Sequence, residues 1–110
     1  MIKPKFKIQS QKDLLRALET ELPFLKERFG IKRLAIFGSF AKGNPTYKSD
    51  VDIMIEPGKP LGWEFFRLVD YLEEKLGRSV DVLTFQGVRG IRVKRVADDI
   101  KRSMVNVPTR

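Results

Sequence analysis

The segment Asp50–Ile55 places the strongest constraint on the fold of this chain, because two aspartates alternate there with apolar residues. Successive side chains of a β-strand point to opposite faces, so Asp50 and Asp52 share one face while Val51 and Ile53 face a core. Two neighbouring carboxylates repel each other unless a cation lies between them, and Mg²⁺ prefers oxygen ligands. The segment therefore predicts a half-buried strand that carries a pair of metal-binding acids.

A Gly-Ser pair precedes these acids, with ten residues between Ser39 and Asp50. Gly38 and Ser39 follow the apolar run Leu34–Phe37, which predicts a buried strand that ends in a tight turn. Such a turn offers backbone N–H groups and a hydroxyl to a phosphate. Either pattern alone is common on protein surfaces and in turns. Together, at this spacing, they indicate phosphoryl or nucleotidyl transfer.

A third acid stands in the apolar context Val80-Asp81-Val82. A strand acid flanked by β-branched residues is unfavourable unless it is paired, hydrogen-bonded or bound to a metal. If its strand lies beside the strand of Asp52, Asp81 reaches the same cleft as the first two acids. The alternative is a surface acid on an edge strand.

The residues in and around these motifs resemble those of a known family. Ile36–Gly43 reads Ile-Phe-Gly-Ser-Phe-Ala-Lys-Gly and Ser49–Ile53 reads Ser-Asp-Val-Asp-Ile, as in the minimal nucleotidyltransferases of the DNA polymerase β-like superfamily. The resemblance extends from the helix near Ser10 to the region of Val105. It implies an α/β (α+β) fold, a small mixed sheet of three or four strands flanked by about four helices. Many relatives have Arg where this chain has Lys42, so the role of Lys42 stays open.

The resemblance also implies an activity. Such proteins are commonly paired with a helical HEPN-domain toxin, and the implied reaction is the Mg²⁺-dependent transfer of AMP from ATP to a tyrosine of that toxin. Asp50, Asp52 and Asp81 would be the catalytic and metal-binding residues for two Mg²⁺ ions. Gly38 and Ser39 would bind the nucleotide, and pyrophosphate would be released.

Two other functions stay open. The chain could be a non-catalytic antitoxin module that blocks the toxin stoichiometrically, or a nucleotidyltransferase that acts on a small hydroxylated compound. A chain of 110 residues has little room for a lobe that holds the acceptor. A HEPN partner or a second copy of the chain, as in a homodimer, is therefore expected to complete the site.

Composition limits the remaining possibilities. The 110 residues predict a single domain, 1–110, with residues 1–9 as a flexible basic arm. The chain has no cysteine and no histidine, which excludes disulfides, thiolate or imidazole zinc sites and Ser-His mechanisms. No apolar run approaches a membrane span and no signal peptide is recognised, so we expect a cytoplasmic protein. The net charge of +8 attracts polyanions in general, but no aromatic residues alternate with the basic ones, so specific nucleic-acid binding is not expected.

The periodicity predicts an order of elements. A helix begins near Ser10, with Asp13 completing a capping box, and ends at Gly30, with Pro23 kinking or restarting it. The other predicted elements are strands over Ile31–Phe37, Asp50–Glu56 and Ser79–Thr84, a short helical turn over Ser39–Lys42, and helices over Phe65–Leu76 and Val93–Met104.

Overall fold

The fold, obtained as a computed structural model, is a four-stranded mixed sheet with a helical layer against one face. The structure describes residues 7–89 and 94–108. Within these ranges the elements are α1 (Gln11–Phe29), β1 (Ile31–Phe37), α2 (Gly38–Ala41), β2 (Val51–Pro57), α3 (Glu64–Leu76), β3 (Val80–Thr84), α4 (Phe85–Arg89), α5 (Lys94–Ser103) and β4 (Val105–Asn106). The strand order is β3-β2-β1-β4, with β1 antiparallel to both neighbours and β2 parallel to β3.

Helix α1 has defined signals at both ends. The hydroxyl of Ser10 accepts a hydrogen bond from the Asp13 amide at 3.1 Å, and the Asp13 carboxylate accepts one from the Gln9 amide at 3.0 Å. Gly30 ends the helix in the left-handed conformation, with φ of 69°. The expectation that Pro23 would restart the helix was wrong, because α1 runs unbroken through it. A proline removes only one helical hydrogen bond, and the apolar face of α1 continues on both sides of it.

The main core lies between the sheet and the helices α1 and α3. Apolar residues at helical spacing on α1 and α3 pack against alternate residues of the strands, as the sequence predicts. The buried members include Leu14, Leu18, Leu25, Leu34, Ile36, Val51, Ile53, Ile55, Leu68 and Leu72. Each such leucine or isoleucine contributes about 1.5–3 kcal/mol when it is fully buried.

The opposite face of the sheet has a smaller cluster. Ala35, Phe37 and Met54 pack there with Ala97 of α5. Because side chains alternate along a strand, Asp52 lies on this same face as Met54, away from α1 and α3. The sequence prediction that the acids and the apolar residues of β2 point to opposite sides is therefore confirmed for Asp52.

The predicted fold class is confirmed, and several details differ, among them the start of β2, which was predicted at Asp50 and lies at Val51. Helix α4 and the two-residue strand β4 were not predicted, and the last helix ends at Ser103, one residue before the predicted Met104. Val93, the predicted start of that helix, lies outside the described residues. The predicted flexible arm falls mostly on residues 1–6, which are also outside them. Ile8, at the end of that arm, is instead buried in the core, because its side chain is apolar.

Two further predictions concern the chain as a whole. In the part of the chain that the structure describes, no helix combines the length and the apolar character needed to span a bilayer. The interpretation of residues 1–110 as one domain stays a prediction.

Candidate active site

The candidate site lies where β1 ends and where β2 and β3 begin. In the register of the sheet, Phe37 of β1 faces Asp52 of β2, and Asp52 faces Asp81 of β3. Asp50 stands one residue before β2. The structure thus brings the three predicted acids together at one end of the strands, next to the turn that follows β1. The parallel pairing of β2 and β3 confirms the predicted strand neighbourhood of Asp81.

Gly38 makes room for the carboxylate of Asp52. Its φ of 71° lies in the left-handed region, which disfavours residues with a Cβ atom. A Cβ atom added at this position would lie 2.0 Å from Oδ2 of Asp52. Two independent constraints therefore favour glycine here: the positive φ of the backbone, and the close approach of the Asp52 carboxylate.

Ser39 lies in the short helix α2 and is half-buried. Its hydroxyl makes no hydrogen bond with any residue that the structure describes. The end of α2 is held from two sides: the Gln11 amide donates to the carbonyl of Ala41 at 2.7 Å, and Nζ of Lys42 lies 3.4 Å from Oδ2 of Asp99. The Ser39 hydroxyl is therefore available to a ligand on a helix that is itself anchored.

The three acids form a region of concentrated negative charge. The pKa of Asp52 is raised from 3.8 to about 6, first by burial and then by the charges of Asp81 and Asp50 and a hydrogen bond with Asp81. Within residues 7–89 and 94–108, none of the three acids forms an ion pair with a basic side chain. The site thus holds negative charge that the described protein groups do not neutralise.

The donor set suits a hard divalent cation. Carboxylate oxygens are the ligands that Mg²⁺ prefers, and repulsion between Asp52 and its neighbours is relieved when a cation binds. Among the described residues, however, no group of three or more acidic side chains is already placed to hold a metal ion. Mg²⁺ usually completes its coordination shell with phosphate oxygens and water, so this fit requires a nucleotide as well as the acids.

Arg78 is a residue near the site that no sequence pattern predicted. Its guanidinium donates hydrogen bonds to the carbonyls of Ile8, Thr46, Tyr47 and Ser49, in the segments that lead into α1 and into Asp50. An arginine after a helix-ending glycine carries no sequence signal that separates it from a surface charge. Lys42, whose role the sequence left open, pairs with Asp99 across 57 positions, which no local pattern predicts.

Comparisons with known proteins agree with this geometry. The profile of the nucleotidyltransferase domain family matches residues 18–106. A relative from Methanocaldococcus jannaschii, named as a protein adenylyltransferase, is 33% identical over 79% of this chain and 90% of its own length. The protein adenylyltransferase MntA of Thermococcus cleftensis is 34% identical over 69% of this chain and 78% of MntA.

Comparison with solved structures also relates the chain to nucleotidyltransferases. A structure named as a minimal nucleotidyltransferase superposes with a TM-score of 0.63 at 30% identity, covering 91% of this chain and 96% of that one. A toxin–antitoxin structure with AMP-PNP has a TM-score of 0.63 at 18% identity, over 84% of this chain and 73% of that one, and shares the fold. The sequence match, the fold and the arrangement of the acids lead to one conclusion: the chain belongs to the nucleotidyltransferase domain family and, within it, to the minimal nucleotidyltransferases.

Proposed function

We propose that this protein is an antitoxin that transfers AMP from ATP to a tyrosine of a HEPN-domain toxin, with Mg²⁺ as cofactor and pyrophosphate as the second product. The observation that carries the proposal is the meeting of Asp50, Asp52 and Asp81 beside the Gly38–Ser39 turn. This set supplies oxygen ligands and a phosphate-binding turn at one point of the fold. The proposal places the protein in the cytoplasm, where ATP is available.

The residues divide between binding and chemistry. Asp50 and Asp52 would hold Mg²⁺ together with the triphosphate, and Asp81 would bind a second ion or accept a proton. The bound cation would neutralise charge that develops on the leaving pyrophosphate. Ser39 would donate its hydroxyl, and the turn at Gly38 its backbone N–H groups, to the β- and γ-phosphates.

The proposed transfer needs no reactant beyond ATP and the acceptor hydroxyl. The acceptor oxygen forms a bond to the α-phosphorus while the bond from that phosphorus to the pyrophosphate oxygen breaks in line. The hydroxyl proton would pass to the carboxylate of Asp81, or to water if Asp81 holds the second ion; Asp81 is exposed and therefore accessible to a large acceptor. Holding the two reactants in this geometry supplies a large part of the rate.

An exposed aromatic pair supports a protein partner. Trp63 and Phe66, at the start of α3, are 84% and 61% exposed, and their ring centroids lie 6.0 Å apart. Neighbouring exposed apolar side chains often mark interaction sites, and tryptophan is enriched among the residues that dominate binding at protein interfaces. The relative MntA is named as a protein adenylyltransferase, and neighbouring structures are named as toxin–antitoxin complexes. A second copy of this chain is the alternative occupant of that surface.

One observation favours a second candidate function. The described acids are not arranged as a three-ligand metal site in the free chain, whereas the aromatic pair is already exposed. A protein that only binds and blocks its toxin would need the second feature and not the first.

The test uses the purified chain, a HEPN toxin as acceptor, and ATP labelled in its α-phosphate. We expect the label to enter the toxin only with Mg²⁺, and Asp50→Asn to abolish transfer because a neutral amide does not hold the cation. Asp70→Asn, an exposed acid on α3, is the control and should transfer normally. If Asp50→Asn still neutralises the toxin fully, the blocking module is the correct function.

A further inference from the structure

Arg78 joins two parts of the chain that are far apart in sequence. Its Nε donates to the carbonyl of Ile8 at 2.9 Å. Its Nη1 donates to the carbonyls of Thr46, Tyr47 and Ser49 at 3.1, 3.3 and 2.8 Å. All four acceptors are main-chain oxygens, so the guanidinium fixes backbone rather than neutralising an acid.

Three of these acceptors belong to the loop that ends at Asp50. Carbonyl oxygens that converge on one point repel each other, and a cationic donor between them removes that cost. The loop also has its own turn, in which the Thr46 amide donates to the Ser49 hydroxyl at 2.8 Å. The last carbonyl held by Arg78 is that of Ser49, the residue directly before Asp50. The direction in which the chain enters β2 therefore depends on Arg78.

The other end of Arg78 is anchored near Asp81. Arg78 lies between Gly77, which ends α3, and Val80, which begins β3. The Val80 amide donates to Oε2 of Glu73 at 2.9 Å, and the carbonyl of Ser79 accepts a bond from the Val51 amide at 2.9 Å. The α3–β3 turn is thus fixed on both sides, and Arg78 connects it to the loop before β2.

We propose that Arg78 is a positioning residue that sets the placement of Asp50 relative to Asp81, and through it the affinity of the site for Mg²⁺ with nucleotide. The inference rests on the proposed nucleotidyl transfer. Lysine cannot replace this arginine, because an ammonium group is a single point donor and lacks the planar fork that here reaches Ile8 and the loop together. The ring of Phe40, 5.1 Å from the guanidinium carbon, packs against that plane.

The test compares Arg78→Ala and Arg78→Lys with the wild type. We expect the Mg²⁺ concentration for half-maximal transfer to rise by roughly 10- to 100-fold in both, the usual effect of losing a residue that orients a metal ligand. A second readout needs no transfer: titration with Mn²⁺ and AMP-PNP should show the same loss of affinity. In the free chain, amides 46–50 should exchange with deuterium faster than in the wild type.

Arg67 offers a matched control. It lies on α3, is exposed, and within residues 7–89 and 94–108 its one ion pair is a 3.6 Å surface contact with Glu64. Arg67→Ala and Arg67→Lys should leave Mg²⁺ dependence and exchange unchanged. A purely structural role for Arg78 predicts lower melting temperature and less active protein but the same half-saturating Mg²⁺, and that result overturns the inference.

The remaining outcomes are also separable. If Arg78→Ala does not fold, Arg78→Lys keeps the charge and most of the volume and carries the test. If the wild type binds Mn²⁺ and AMP-PNP but labels no toxin, the proposed function fails, while the binding and exchange data still decide the role of Arg78.

Discussion

Asp52 and Asp81 face each other directly across the parallel strands β2 and β3, and the charge of Asp81 helps to raise the pKa of Asp52. Two carboxylates this close repel each other, so the pair favours a state in which one carboxyl carries a proton and is neutral. A divalent cation can take the place of that proton. The free protein and the loaded protein should therefore differ in how they respond to pH and to substitution.

The stability of the free protein should fall as the pH rises through about 6. The pKa of Asp52 is higher in the folded chain, about 6, than its ordinary value of 3.8, so folding favours proton uptake in this window. The corresponding stabilisation is complete below about pH 4 and is lost as the pH rises through about 6. Denaturant unfolding in EDTA measures it. Because other acids titrate too, the quantity to follow is the difference between wild type and Asp52→Asn, and a difference that does not change with pH contradicts the prediction.

Asp81→Asn should separate stability from activity. The change keeps the shape of the side chain and removes one of three repelling charges, so the free protein should be no less stable. Transfer should fall by roughly 10² or more, the scale expected for the loss of a general base. Melting temperature and labelled transfer are measured side by side, with Asp70→Asn as the control that changes neither. Normal transfer by Asp81→Asn would show that this residue has no role in the transfer reaction.

Gly38→Ala and Gly43→Ala form a matched pair. Both glycines have positive φ, 71° and 80°, so alanine should cost about 1–2 kcal/mol at either position. Of the two, only Gly38 would bring the new Cβ against another group, Oδ2 of Asp52, whereas at Gly43 no described residue lies within 4 Å. We expect Gly43→Ala to retain transfer and Gly38→Ala to lose it. Equal transfer in the two variants, measured at a temperature where both are folded, would rule out the close contact.

Trp63→Ala should weaken the complex with the toxin by roughly tenfold or more, because a tryptophan at an interface often supplies over 1 kcal/mol. Its side chain is 84% exposed, so unfolding of the free chain should hardly change. Calorimetry of complex formation tests this. Tyr47→Ala, at 83% exposure on the loop before Asp50, is the control. An equal loss in both variants would show that the effect is not specific to the start of α3.

Local patterns in the sequence were sufficient for much of the fold. The alternation in β2 predicts which face holds Asp52 and which holds Ile53, and helical spacing predicts the buried leucines of α1. The capping of α1 by Ser10 is likewise encoded within four residues. These elements depend on neighbours in the chain, which is why a pattern of two or 3.6 residues detects them.

Features that depend on distant partners could not be predicted. Arg78 contacts Ile8 across 70 positions and Ser49 across 29, and nothing near Arg78 indicates either contact. Strand β4 has two residues and exists through its pairing with β1. Helix α4 is five residues long with Gly87 at its centre, a residue of low helix propensity. The roles of the three acids and of Gly38 and Ser39 stay predictions that the experiments above address.

The row formed by Phe37, Asp52 and Asp81 crosses three strands that are joined by main-chain hydrogen bonds. Neighbouring strands lie about 4.8 Å apart whatever their side chains, so the sheet fixes the backbone distance between Asp52 and Asp81. A substitution in the packed faces of α1 or α3 should reduce the number of folded molecules while leaving that distance unaltered in each one. In a protein built this way, mutations can change the thermal stability during evolution without changing the catalytic activity of each folded molecule.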